Sequence, residues 1–170
     1  MRRLSLLLLL PVLALPTLAL AARSAPGDGS LVVANVSGTI TVQGKGLIFG
    51  HFDRGSLTVL DYRPDGTTAP SVSGAKMKLT GSLDVLYSGS DVRFLFPGGK
   101  YTLRFEGVGI DISGVGKGSV QLAGRGSLDD GTFAVNGAKP LSLSSAPATA
   151  SYGGAGAGAD KVSGTSGRSS

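Results

Sequence analysis

Between Val92 and Ile112 apolar side chains recur with period two in three short runs, and no other feature of the chain constrains its fold as strongly. Val92, Phe94 and Phe96 alternate with Asp91, Arg93 and Leu95, and Tyr101, Leu103 and Phe105 alternate with Thr102, Arg104 and Glu106. Period two is the spacing of a half-buried β-strand, because successive side chains point to opposite faces of a sheet. Pro97-Gly98-Gly99-Lys100 separates the two runs, and glycine accepts the positive φ of a tight turn. A hairpin with its tip at Gly98-Gly99 sets Phe96 against Tyr101, Phe94 against Leu103 and Val92 against Phe105. On the other face Arg93 then meets Arg104, with Asp91 and Glu106 diagonally placed to offset the repulsion. After Phe105 the apolar residues move to even positions, at Val108, Ile110 and Ile112, which predicts a bulge or bend at Gly107.

The same patterning predicts strands at 31–36, 39–42, 56–62, 119–123 and 132–135, and Pro64-Asp65-Gly66 reads as a turn after the third of these. No window has a helical period. Gly38-Thr-Ile-Thr-Val-Gln-Gly-Lys-Gly46 echoes Gly118-Ser-Val-Gln-Leu-Ala-Gly-Arg-Gly126, and 53–59 echoes 129–135 in the same order. Equivalent positions in two related halves would produce such an echo, as would any two glycine-bounded strands. The expected architecture is a single all-β domain over 31–143, an antiparallel β-sandwich or partly open barrel with glycine-rich turns. A short β-solenoid is the alternative, suggested by Gly-Val-Gly-Ile and Gly-Lys-Gly-Ser runs but lacking a uniform repeat.

The two ends differ from this middle. Basic Met1-Arg2-Arg3, the apolar run Leu4 to Leu20 and the small-x-small pattern Ala19-Leu20-Ala21 read as a signal peptide over 1–21, cleaved near Ala21. Pro11 and Pro16 interrupt the apolar run, which is at the short end for a membrane span. Residues 22–30 read as a spacer, and 144–170, rich in Ala, Gly and Ser, as a disordered tail with little to bury. No other run is long enough to span a membrane. The expected location is therefore secreted or at the cell envelope.

Removing the leader takes Arg2 and Arg3 from 16 basic residues, leaving 14 against 11 acidic ones. These charges are scattered, so no basic face for nucleic acid is expected. The chain has no cysteine, which excludes disulfides, thiol nucleophiles, thiolate metal sites and lipid attachment at Cys.

Few residues offer chemistry. Gly44-Lys45-Gly46 through Gly50 lacks the Gly-Lys-Ser/Thr ending of a phosphate loop and reads as a turn. His51, the sole histidine, sits in Gly50-His-Phe-Asp-Arg-Gly55, where Asp53 could orient or charge it. A surface turn is the bland reading of that segment; acid–base work at His51 and Asp53 is the sharp one. Arg54, Tyr62 and Tyr87 are the candidate ligand contacts, the two tyrosines as exposed platforms. Asp129-Asp130-Gly131 and Asp65-Gly66 lack the ladder of a calcium loop, and Asn35-Val36-Ser37 has the form of a glycosylation sequon. No metal or cofactor is implied.

The stretches Val36-Ser-Gly-Thr-Ile-Thr-Val-Gln-Gly-Lys-Gly46, Gly50-His-Phe-Asp-Arg-Gly55 and Tyr101-Thr-Leu-Arg-Phe-Glu-Gly-Val-Gly-Ile-Asp111 resemble those of secreted bacterial β-rich proteins of no assigned activity. The resemblance implies bacterial export and carries no residue role. Three functions are expected in turn. The first is a non-enzymatic exported β-domain with a binding or structural role, its partner an envelope component. The second is a hydrolase or metal-dependent enzyme using His51 and Asp53. The third is self-association through exposed strand edges.

Overall fold

A computed structural model describes residues 25–61, 69–81, 83–143 and 147–154. The expected signal peptide, Tyr62, the Pro64-Asp65-Gly66 turn and residues 155–170 lie outside the described residues. Among the described residues there is no helix, and so none long and apolar enough to cross a membrane. Seven strands form one antiparallel sheet: β1 (Gly29–Val59), β2 (Ser71–Thr80), β3 (Asp84–Phe96), β4 (Lys100–Gly124), β5 (Thr132–Val135), β6 (Leu141–Ser142) and β7 (Ala148–Tyr152). The all-β antiparallel class is as expected. All seven strands share one sheet, so the separate second sheet of a sandwich is not seen, and the antiparallel ladders rule out the parallel rungs of a solenoid.

Two strands dominate. β1 runs for 31 residues and β4 for 25, and they pair twice. Thr39 lies opposite Glu106 on one edge and Ala123 on the other; Ile40 lies opposite Phe105 and Leu122, and Val42 opposite Leu103 and Val120. A strand has only two edges, so β4 must pass β1 on one side and return on the other. The pair is therefore wound into a coil. The sheet order β2-β3-β1-β4-β7 ends in β2 and β7, which do not pair with each other, so the rolled sheet stays open and is not a closed barrel.

The expected hairpin at Gly98-Gly99 is overturned. β3 and β4 do not pair; both run along the same edge of β1, end to end. Ile48 faces Phe96, the Gly46 N–H donates to the Gly99 carbonyl (3.1 Å), and Lys45 faces Lys100. Pro97-Gly98-Gly99 is thus a brief interruption in one continuing path. Alternation had identified the shared apolar face correctly, since Val92, Phe94, Phe96, Tyr101, Leu103 and Phe105 are all buried. Their partner is β1, through Phe52, Leu57 and Ile40, and Phe94 reaches Phe105 with ring centroids 4.9 Å apart. Likewise Arg93 faces His51, not Arg104, and Arg104 pairs with Glu106 on its own strand.

Winding requires bends, and glycine supplies them. Gly89, Gly55, Gly107, Gly38 and Gly124 stand opposite one another in a row across the sheet. Gly38 has φ 152° and Gly55 φ 153°, extended but positive, a conformation closed to side-chain-bearing residues. A Cβ on Gly38 would lie 2.1 Å from the Ala123 carbonyl oxygen, and one on Gly55 2.1 Å from that of Glu106. Neighbouring backbones occupy that space. The predicted irregularity at Gly107 is present: Val36 faces Ile110 and Gly38 faces Gly107, a register shift, with Gly109 at φ 62°.

The echo between 38–46 and 118–126 acquires a physical meaning, because the two segments pair antiparallel: Gly38 with Gly124, Ile40 with Leu122, Val42 with Val120, Gly44 with Gly118. The end of the domain is corrected. Ala148–Tyr152, expected in the tail, forms β7 on the edge of β4, burying Ala150 and Tyr152. The Tyr152 hydroxyl sits over the Gly44–Gly118 pair, where a Cβ on Gly44 would come within 2.7 Å of it, and bonds the Tyr101 hydroxyl at 3.0 Å. Burial pushes both tyrosines above the ordinary phenol range.

Candidate functional site

Two polar places emerge from the coil. The first is centred on His51, which is not on a turn as expected but within β1, facing Arg93 of β3 and Asp111 of β4. Its Nε2 lies 3.4 Å from Asp111 Oδ2 and 3.9 Å from Asp53 Oδ1. Asp111 is held in turn: its Oδ1 accepts the Asn35 N–H at 2.7 Å, at the β1 bulge where Asn35 takes φ 51°. The His51 side chain is 42% exposed and that of Asp53 70%, so water screens the pair strongly. No group of three or more His, Asp or Glu among the described residues is placed to hold a metal ion. Of the residues singled out by sequence, His51 and Asp53 are brought together. Asp111 was invisible to sequence, since only the β1–β4 ladder places it there.

The second place is an open groove of about 750 Å³ along the glycine row. Gly38, Gly55, Gly107 and Gly124 form its floor. Thr39, Arg54, Ser56, Glu106, Val108, Ala123 and Arg125 line it. The groove follows from the row, because residues without side chains leave a trough between flanking residues that have them. Arg54 sits on the β1 segment beside one side of β4, and Arg125 at the far end of β4 beyond β1's other edge. Three strand spacings separate their places, about 14 Å along the sheet at ~4.8 Å per strand.

A small loop fixes the Arg125 end. The Arg125 N–H donates to the Ser37 carbonyl and the Ser37 N–H to the Asp130 carbonyl, both at 3.2 Å. Asp130 is buried and accepts the Gly126 and Ser127 N–H groups on Oδ2 at 2.8 and 2.9 Å. Its carboxylate thus closes the loop by holding the backbone three and four residues before it, the local reason the chain reverses after β4. The Arg125 guanidinium reaches the Gly107 carbonyl at 3.5 Å.

Charge in the groove is unbalanced. Glu106 is answered by Arg104, whereas among the described residues neither Arg54 nor Arg125 has a carboxylate within ion-pair distance. Arg54, the ligand-contact candidate of the sequence, lines this groove. Tyr87 does not act as an exposed platform: it is partly buried against the core, between Leu57 and Met77. Tyr62 lies outside the described residues. Glu106, Thr39 and Arg125 carried no sequence signal as a group, being distant along the chain. No family model, curated protein or solved structure matches the chain, so the groove and the His51 pair stand on their own geometry.

Proposed function

We propose that this chain is an exported, non-enzymatic β-domain that binds a component of the cell envelope through the glycine-floored groove. The observation that carries the reading is the pair of arginines lining that groove, neither with a carboxylate within ion-pair distance among the described residues. A guanidinium with no carboxylate beside it keeps N–H donors for an anionic group, and burial of a ligand against it gains a charge-assisted contact. Export rests on the basic, apolar and small-x-small segments of 1–21.

The enzyme reading finds less support. His51 has a second carboxylate in Asp111, but the pair stands on an open, half-exposed sheet face and no groove-lining residue adjoins it in sequence except through Arg54. Acid–base catalysis needs a substrate-holding concavity around its proton-transfer group.

Co-sedimentation with isolated bacterial envelopes tests the binding reading. Wild-type chain and His51→Ala should be retained equally, and Arg54→Ala/Arg125→Ala should be released. Retention unaffected by the arginine pair would refute it. Amino-terminal sequencing of the exported chain should begin at Ala22; a mature chain still starting at Met1 would remove the export element.

A further inference from the structure

Away from the groove, the outer face of the coil carries an arrangement that works against folding. Lys45 of β1 stands directly opposite Lys100 on one edge and Lys117 on the other, so three lysines form a row across adjacent strands. All three are exposed. They share the face turned from the core, because their neighbours Gly44, Gly118 and Tyr101 lie on the side of the buried Tyr152 hydroxyl. Like charges directly opposite destabilise a sheet. Among the described residues no carboxylate lies within ion-pair distance of any of the three. The Lys117 ammonium leans to the Pro26 carbonyl, 3.3 Å away, a neutral acceptor that leaves its charge uncancelled.

Beside the row the same face turns apolar. Leu47 and Val115 stand opposite each other two residues on. Two further on, Phe49 and Val32 flank the small Ser113 and are 41% and 47% exposed. We infer that this face docks on an anionic lipid surface, the lysines at the headgroup phosphates and Phe49 and Val32 against the apolar layer beneath. The inference does not rest on the groove. Thr39, which lines the groove, lies six residues before Lys45, roughly 20 Å along the strand at ~3.3 Å per residue.

The two chemistries together select the occupant. Lysines attract anionic headgroups, and exposed apolar side chains next to them enter the boundary between headgroup and acyl chain. A second copy would bring three more cations against the row. A nucleic acid would satisfy the lysines but bring no apolar surface to Val32. Stable membrane attachment takes two signals, so this face holds the chain reversibly and retention on whole envelopes still needs the groove arginines.

The chain has no cysteine, so one environment-sensitive fluorophore can be attached to the full chain at Phe49→Cys or, as a reference on β2, at Met77→Cys. Vesicles of phosphatidylglycerol and phosphatidylcholine in equal parts should brighten and blue-shift the label at 49 and not that at 77. Phosphatidylcholine alone should move neither. Each of Lys45→Gln, Lys100→Gln and Lys117→Gln should weaken vesicle binding about fivefold, and the three together on the order of a hundredfold. Added salt should weaken the wild type far more than the triple variant. The triple variant should unfold at the same urea concentration or a higher one, since it loses repulsion. Arg54→Ala/Arg125→Ala should bind vesicles as the wild type does.

Equal response to both kinds of vesicle, a label at 77 that responds like that at 49, or binding untouched by the triple substitution would overturn the inference. A single-stranded oligonucleotide that displaces the vesicles and binds as tightly would overturn the lipid assignment. Failure with vesicles leaves envelope retention through the arginines standing, and failure of that retention leaves a positive vesicle result standing.

Discussion

The stretch of β1 from Gly38 to Lys45 and the strand β2 belong to the same sheet, yet they are held in opposite ways. Each residue of the first is paired on both edges by β4, and its inward side chains Ile40 and Val42 are fully buried. β2 is paired on one edge only, by β3, and leaves Met77 and Leu79 exposed at 64% and 70%. The inner strand has no freedom to slip, because a shift of one residue would turn its apolar set outward and break two ladders together. The outer strand contributes little burial and could be altered with little consequence. Specification of this fold is concentrated where the chain wraps on itself, and the glycine row is what permits the wrapping.

Breaking the inner region should therefore cost most. Gly38→Val forces a side chain into backbone already in place and into a φ that valine rejects. Strain of about 1–3 kcal/mol joins overpacking of similar size, for a loss of about 4 kcal/mol, measured by urea denaturation of variant and wild type. Tyr152→Ala should cost about 3 kcal/mol, within the usual range for deleting a buried aromatic, and would show that β7 is part of the domain. If its stability stayed at the wild-type value, Ala148–Tyr152 would be mere tail.

The Tyr101–Tyr152 pair sharpens the comparison through pH. Both folded-state pKa values are raised above the unfolded value near 10. The neutral pair's contribution is thus fully present below pH 10. As pH climbs above that, the unfolded chain loses protons that the folded chain keeps, and stability falls. The slope is up to about 1.4 kcal/mol per pH unit for each tyrosine. Urea midpoints at pH 9 and pH 11 should differ accordingly, and Tyr101→Phe/Tyr152→Phe should flatten the difference.

The smallest effect belongs to the outer region. Met77→Ser and Leu79→Ser should each change stability by no more than about 0.5 kcal/mol in the same assay, as surface substitutions usually do. A loss comparable to that of Tyr152→Ala would mean that β2 is covered in solution, and the self-association reading would gain.

Much of this was legible in the sequence, and the rest was illegible for a definite reason. Alternation named Val92, Phe94, Phe96, Tyr101, Leu103 and Phe105 as one buried face, and the phase change at Gly107 marked a real register shift. It could not name the partner strand. Any two runs of matching parity satisfy an apolar-on-apolar register, so β3 and β4 fitted each other on paper while both fit β1 in the fold. The span 71–80 escaped notice because Val72, Ala75, Met77 and Leu79 are broken in phase by Gly74 and little of the strand is buried. Tyr152 was hidden inside an Ala/Gly/Ser-rich composition. At the site, Arg54 and His51 stood out as chemistry-bearing residues, but Arg125, Glu106 and Asp111 become neighbours only through ladders joining residues more than fifty positions apart.

The double pairing of β1 is the claim on which the groove and the coil both depend, and inter-strand nuclear Overhauser effects test it most directly. Backbone contacts from Ile40 should appear to both Phe105 and Leu122, and from Val42 to both Leu103 and Val120. Contacts to one set alone, or backbone contacts placing Phe94 opposite Leu103 in a hairpin, would contradict it.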